Sequence, residues 1–274
     1  MGFVVWTLAI VALLAILWTV STVAKWFIKW TLFIIVCLFS ACLPIPIMLL
    51  KPKDPRNALL PAAGLRIFCD LIGIKVRVEG IENIVRGTGS VVLINHQSQL
   101  DLLVLAHLWP IMDNCTVIAK KEVFYLQPFG LASWLWGTIF INRVKSKDAQ
   151  DTVNQTGEII RQRKARVLIF PEGTRNLGKP TLLPFKKGGF HLALASKVPL
   201  QPVAVSRYKF LKGYSFEGGN VVIKILPQIS TERYGKDNIQ ELIDESYKVM
   251  SEGVDSVSAE NNRANGLSNG KKAD

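Results

Sequence analysis

His96 and Asp101 follow directly on the apolar run Ser90-Val-Val-Leu-Ile-Asn95, and they supply a base and a carboxylate within one loop. On a continuous helix their five-residue spacing sets the side chains ~140° apart. They meet if His96 stands in a loop and Asp101 lies in the first turn of a helix, turned back toward it. An aspartate accepting from one ring nitrogen fixes the tautomer and stabilises the imidazolium, leaving the other nitrogen as a general base. On spacing alone, a helix-capping Asp beside a structural His is the commoner arrangement. A second cluster, Phe170-Pro-Glu-Gly-Thr-Arg175, follows the apolar run Arg166-Val-Leu-Ile-Phe170. Glu172, Gly173, Thr174 and Arg175 put a carboxylate, a flexible glycine, a hydroxyl and a guanidinium in one turn. The guanidinium suits a bidentate grip on phosphate.

Two further cations belong with these by position. Gly137-Thr-Ile-Phe-Ile-Asn-Arg143 ends a strand in an arginine, and Lys120 and Lys121 follow the strand candidate Thr116–Ala119. Val198-Pro-Leu-Gln-Pro-Val203 starts a strand with two prolines, which fits rigid shaping of a pocket edge. The nearest approach to a G-x-S-x-G elbow, Gly213-Tyr-Ser-Phe-Glu217, fails at its last position. Neither a Walker A loop nor a G-x-G-x-x-G fingerprint occurs. His107 and His191 lack metal-like spacing, and Cys37, Cys42, Cys69 and Cys115 form no C-x-x-C, so neither a metal site nor a disulfide framework is expected. A His/Asp pair without a serine or cysteine nucleophile points to direct transfer. The base deprotonates an acceptor hydroxyl, which attacks an activated acyl donor.

These residues need a sheet to bring them together. The pattern predicts strands at 75–79, 90–95, 116–119, 138–141, 166–170, 199–206 and 221–226. Helices are predicted at 57–72, 100–109, 148–164, 189–197 and 239–250. Strands and helices alternate through 75–206, which implies an α/β domain with a largely parallel sheet flanked by helices. In such a sheet, loops beyond the carboxyl ends of strands carry ligands.

Before that domain, residues 1–24 contain no charged side chain and reach ~36 Å as a helix. Lys25 and Lys29 interrupt, and then Trp30 to Leu50 is again uncharged but contains Pro44 and Pro46. The prolines leave 30–43 as helix, ~21 Å and too short to span. Either a membrane-embedded helical hairpin or one span plus a helix that dips into the bilayer follows. Residues 123–142 are also uncharged, but Gln127, Pro128, Gly130, Gly137 and Asn142 mark a helix or loop against the bilayer, then a buried strand. The expected organisation is an anchor over 1–50, an α/β domain over 51–250, and a disordered polar tail over 251–274.

The chain carries a net charge of +12, concentrated in 51–230 with 25 basic against 12 acidic side chains. A basic body beside an anchor favours phosphorylated ligands and anionic membrane lipids, and the anchor argues against nucleic acid. Lys51, Lys53 and Arg56 outnumber Lys25 and Lys29, so positive-inside bias places the domain in the cytosol if both segments span.

The four motifs resemble those of the 1-acylglycerol-3-phosphate acyltransferases, in family order and over about residues 95–203. N-H-x-x-x-x-D is matched by Asn95, His96 and Asp101, and G-x-x-F-I-x-R by Gly137, Phe140, Ile141 and Arg143. F-P-E-G-T-R is matched by Phe170 to Arg175, and V-P-x-x-P-V by Val198, Pro199, Pro202 and Val203. Ala119-Lys-Lys-Glu122 and Leu183-Pro-Phe-Lys-Lys-Gly188 are similar to the eukaryotic branch. The resemblance implies acyl transfer from acyl-coenzyme A, a co-substrate with no further cofactor, to the sn-2 hydroxyl of lysophosphatidic acid. It makes His96 the base and Asp101 its orienting partner, with Arg143, Glu172, Gly173 and Arg175 binding the phosphorylated glycerol. Lys120 and Thr174 join that anionic subsite by position. An endoplasmic-reticulum membrane with the domain facing the cytosol is the expected setting. Glycerol-3-phosphate or another lysophospholipid is the alternative acceptor, and a non-catalytic lipid-binding protein is the alternative class.

Overall fold

The computed structural model describes residues 2–141 and 146–264. The uncharged N-terminal stretch folds as two helices, α1 (Gly2–Val20) and α2 (Thr22–Cys42), and the break between them falls at Ser21. Ser21 is extended, and its hydroxyl accepts from the Ala24 N–H at 3.2 Å, an N-cap for α2. The expected break at Lys25–Lys29 is therefore corrected. Both lysines lie inside α2, which at 21 residues spans ~32 Å rather than ~21 Å. Pro44 then ends the run, and a single turn, α3 (Ile45–Met48), leads into the domain. Each of the first two helices is long and apolar enough to cross a membrane.

Lys29 stays in the helix because its ammonium has a partner. It is buried, and Nζ donates to the Phe216 carbonyl at 2.6 Å. Trp30 packs on Phe216 and Phe33 on Phe68, so one face of α2 is docked on the domain. The opposite face leaves Phe27, Ile34, Leu38 and Phe39 exposed.

The domain continues with α4 (Leu59–Leu71), β1 (Ile74–Glu79), β2 (Ser90–Ile94), α5 (Asp101–Leu108) and β3 (Cys115–Lys120). Two short helices, α6 (Lys121–Phe124) and α7 (Phe129–Leu135), precede β4 (Ile139–Ile141), so the uncharged 123–142 stretch does end in a strand, half-buried rather than buried because it lies at the sheet edge. Then come α8 (Ser146–Arg163), β5 (Arg166–Ile169), α9 (Gly188–Ser196) and β6 (Leu200–Val205). A small hairpin of β7 (Leu211–Lys212) and β8 (Ser215–Phe216) follows, then β9 (Gly219–Ile225) and α10 (Ile239–Ala264). The seven-stranded sheet has the order β1-β9-β6-β2-β5-β3-β4. Pairing is parallel throughout except between β6 and β9, so β4, β3, β5, β2 and β6 present their carboxyl ends along one rim.

β2 is buried along its whole length because both faces are covered. Val92 and Ile94 pack with Phe68, Leu103 and Val104 under α4 and α5. Val91 and Leu93 pack with Ile160, Phe190 and Leu242 under α8, α9 and α10. An uninterrupted apolar run is what a central parallel strand requires. Each such side chain contributes ~1.5–3 kcal/mol on burial.

Two expectations need correction here. Of the expected disordered tail over 251–274, residues 251–264 are helix and 265–274 lie outside the described residues: Val254 and Val257 continue the buried stripe of Leu242, Ile243 and Met250. Polar side chains of this segment bond to the sheet and its rim. Asn261 Nδ2 donates to the Asn220 carbonyl at 2.7 Å, and the Ser258 hydroxyl accepts from the Arg207 N–H at 3.1 Å. Two valines among polar residues are too thin an apolar signal to read as a stripe without the sheet beneath. Second, Pro199 directly precedes β6 and Pro202 lies in its amino half, inside the sheet, whereas the rim begins beyond Val205. They shape the strand rather than a pocket edge.

Candidate active site

β2 delivers Asn95 and His96 to the rim, and the chain turns immediately into α5. Asp101 opens that helix, so the five-residue spacing becomes a loop-to-first-turn contact. His96 Nδ1 lies 2.6 Å from Asp101 Oδ2. The same oxygen accepts from the Gln97 N–H at 2.7 Å and the Ser98 N–H at 3.2 Å. Oδ1 accepts from the Tyr208 hydroxyl at 2.8 Å. Asp101 is 3% exposed, so these donors replace its water. With Nδ1–H directed at the carboxylate, the lone pair is on Nε2. The ring stacks on Phe170, with centroids 4.1 Å apart, which fixes its plane.

The loop around His96 is tied to β6 and its extension. Asn95 exchanges two hydrogen bonds with the Val205 backbone, at 3.0 Å and 2.8 Å. Gln97 Nε2 donates to the Ser206 carbonyl at 3.0 Å, and its Oε1 accepts from the Tyr208 N–H at 3.2 Å. Tyr208 is buried, and desolvation, with the Asp101 carboxylate second, pushes its phenol well above the ordinary tyrosine range. It is therefore a fixed donor. Gln97 and Tyr208 are site residues that the motifs do not single out. The one sequence signal for Tyr208 is its place just past the carboxyl end of a strand.

Glu172 sits in the turn after β5 and is 1% exposed. Oε1 accepts from the His96 N–H at 2.8 Å, while Oε2 accepts from the Leu183 N–H at 2.8 Å and from Asn176 Nδ2 at 3.3 Å. The Asn176 N–H in turn donates to the His96 carbonyl at 2.8 Å. Both carboxylate oxygens are thus taken up by this chain, and a carboxylate offers an anionic group only repulsion. The direct phosphate contact expected for Glu172 does not fit this arrangement, which locks the His96 backbone instead. Gly173 has φ 70°, the left-handed conformation that lets the turn reverse, and its missing Cβ would meet Lys186 Cγ at 3.1 Å. Lys186 therefore joins Thr174 and Arg175, both exposed, on the outer side of the turn.

Lys120 ends β3 at the same rim, in register with Ile141 at the end of β4. Arg143 lies outside the described residues. One recess is lined by α5, which follows the His96 loop, and a second by the loop itself. An apolar cavity of about 240 Å³ lies between α2, α4, α5 and α7, with Leu65, Leu102, Leu105, Ala119, Phe129 and Trp136 in its lining. A groove of about 780 Å³ runs from Gln97, Ser98 and Gln99 past Tyr208 toward Trp26 and Trp30 of α2. Among the described residues no group of His, Cys, Asp and Glu is arranged to hold a metal ion.

Comparison with known proteins agrees with this geometry. Residues 75–206 match the Acyltransferase family. The chain is 36% identical over 210 residues to human 1-acyl-sn-glycerol-3-phosphate acyltransferase alpha, covering 76% of this chain and 73% of that protein. It is 39% identical over 191 residues to the 1-acyl-sn-glycerol-3-phosphate acyltransferase of Saccharomyces cerevisiae, covering 68% of this chain and 61% of that one. The fold is that of the 1-acyl-sn-glycerophosphate acyltransferase PlsC from Thermotoga maritima, with a TM-score of 0.65 at 19% identity over 86% of this chain and 98% of that one. On sequence similarity and coverage together, the chain belongs to the 1-acyl-sn-glycerol-3-phosphate acyltransferase family.

Proposed function

We propose that the protein transfers a fatty acyl group from acyl-coenzyme A to the sn-2 hydroxyl of 1-acylglycerol-3-phosphate, giving phosphatidic acid. The observation that carries this reading is the 2.6 Å contact between His96 Nδ1 and a buried, four-times-bonded Asp101. His96 Nε2 takes the proton of the acceptor hydroxyl as its oxygen attacks the thioester carbonyl carbon. The carbonyl π electrons move to oxygen and return as the carbon–sulfur bond breaks. The departing thiolate then takes the proton from the imidazolium, which restores the base. Asp101 stabilises the cation in between. Lys120, Arg143, Thr174 and Arg175 hold the acceptor phosphate, and Glu172 keeps His96 in place. The apolar cavity includes Leu102, next to Asp101 on α5, in its lining and suits the acyl chain.

The two apolar helices support a membrane setting, which we place at the endoplasmic reticulum with the domain in the cytosol, beside its acyl-coenzyme A. Asn114-Cys-Thr116 tests that orientation, because Asn114 is exposed. It is expected to stay unglycosylated in a eukaryotic cell, and a glycosidase-sensitive mass shift lost in Asn114→Gln would place the domain in the lumen. For the reaction, purified protein with labelled acyl-coenzyme A and a panel of acceptors is expected to yield labelled phosphatidic acid. Preference for glycerol-3-phosphate or for lysophosphatidylcholine would overturn the assigned acceptor.

A further inference from the structure

Three lysines outside the four motifs line the larger groove beside His96. Lys179 follows the Glu172 turn, while Lys209 and Lys212 follow β6 and enter the β7–β8 hairpin. All three are exposed, and none has a carboxylate partner among the described residues. Arg207, in the same wall, is already committed. Its guanidinium donates to the Lys179 carbonyl at 3.0 Å and to Asp255 Oδ1 at 3.1 Å. It therefore fixes the Lys179 loop against α10 and leaves the lysines as the free positive charge.

We propose that Lys179, Lys209 and Lys212 form the subsite for the phosphate groups of the donor's coenzyme A moiety. This rests on the acyl-transfer reading above and adds the binding site of the donor's nucleotide end. The reacting thioester lies between an acyl chain and a polyanionic nucleotide, so a donor site needs an apolar and a cationic lobe meeting at the base. The loop that carries the base borders the cationic lobe, and α5, which follows it directly, borders the apolar one. Ser98 and Gln99, before Asp101, line the cationic groove; Leu102 and Leu105, after it, line the apolar cavity. Three unpaired cations spread along a groove match a pyrophosphate and a separate ribose phosphate better than the single phosphate of a lysolipid. The groove volume of about 780 Å³ also falls in the range of small-molecule sites.

The full-length protein separates donor from acceptor through a truncated donor. Kinetics are measured with acyl-coenzyme A and with acyl-pantetheine, which keeps the thioester and lacks the nucleotide. In Lys179→Ala/Lys209→Ala/Lys212→Ala, KM for acyl-coenzyme A is expected to rise about tenfold, and more steeply at low salt. That penalty is expected to fall within about twofold for acyl-pantetheine, whose interaction lacks the phosphates. Adenosine 3′,5′-bisphosphate is expected to compete with acyl-coenzyme A in the unmodified protein, a readout independent of how the variant folds. No competition there, or a rise in the lysophosphatidic acid KM with both donors, would overturn the subsite alone. Inactivity of the unmodified protein with both donors would overturn the acyl-transfer reading and the subsite together.

Discussion

The Tyr208 hydroxyl donates to Asp101 Oδ1 at 2.8 Å, on the opposite carboxylate oxygen from the one that faces His96. One hydrogen bond thus links the end of β6 to the first turn of α5 behind the base. Tyr208→Phe keeps the ring and removes the donor. A hydrogen bond to a charged group is worth ~1.5–3 kcal/mol, so kcat is expected to drop at least about tenfold. The KM for lysophosphatidic acid should stay within about twofold, since Tyr208 acts through Asp101. Steady-state kinetics check both, and an unchanged kcat would remove Tyr208 from the positioning of the pair.

Glu172 is expected to act through structure rather than through substrate affinity. Glu172→Gln replaces one acceptor oxygen by an amide N–H, which opposes either the His96 or the Leu183 N–H. A buried donor left unpaired costs ~1–3 kcal/mol. The expected result is a lower melting temperature together with a lower kcat, at a nearly constant acceptor KM. A variant of normal stability with only a raised acceptor KM would return Glu172 to the phosphate subsite.

Much of this site was legible in sequence because its chemistry is local. His96 and Asp101 sit on one strand-loop-helix junction, so residue type and spacing carry the contact. Glu172 shows where that stops. The motif marks the residue, but its work is to bind the backbone of a loop 76 positions away, which only the β2–β5 pairing brings near. Tyr208 is 107 positions from Asp101 and belongs to no motif, so beyond its place after a strand nothing local ties it to Asp101. The fold behaves likewise. The apolar runs of β2 and β5 announce buried strands, whereas the antiparallel β6–β9 pairing depends on the connection between them. The segment 251–264 reads as polar, and its contacts with the sheet include hydrogen bonds from Asn261 to the Asn220 carbonyl and to the Ser206 hydroxyl.

His107 gives the domain a defined acid sensitivity. It is half-buried on α5, with Nδ1 2.7 Å from the Leu103 carbonyl. Burial, ahead of every other influence, depresses its pKa below the usual 6.5, and the Arg66 charge adds to that while the Leu103 carbonyl and Asp70 oppose it. The unfolded chain therefore binds the proton first as pH falls. Stability present above about pH 6.5 is lost as pH drops toward the depressed folded value. Thermal unfolding from about pH 7 to 5 is expected to show a fall in melting temperature that is shallower in His107→Gln. An equal fall in both proteins would assign the acid sensitivity to other groups.

The most direct test of the central claim is turnover of labelled acyl-coenzyme A and lysophosphatidic acid to phosphatidic acid by the purified protein and its His96→Ala variant, compared at equal folded content. With His96 as the general base, the unmodified protein forms labelled phosphatidic acid and the variant loses ~10²–10⁴-fold in kcat while keeping its melting temperature. Near-normal turnover by folded His96→Ala would contradict the mechanism, and no product from the unmodified protein would contradict the function itself.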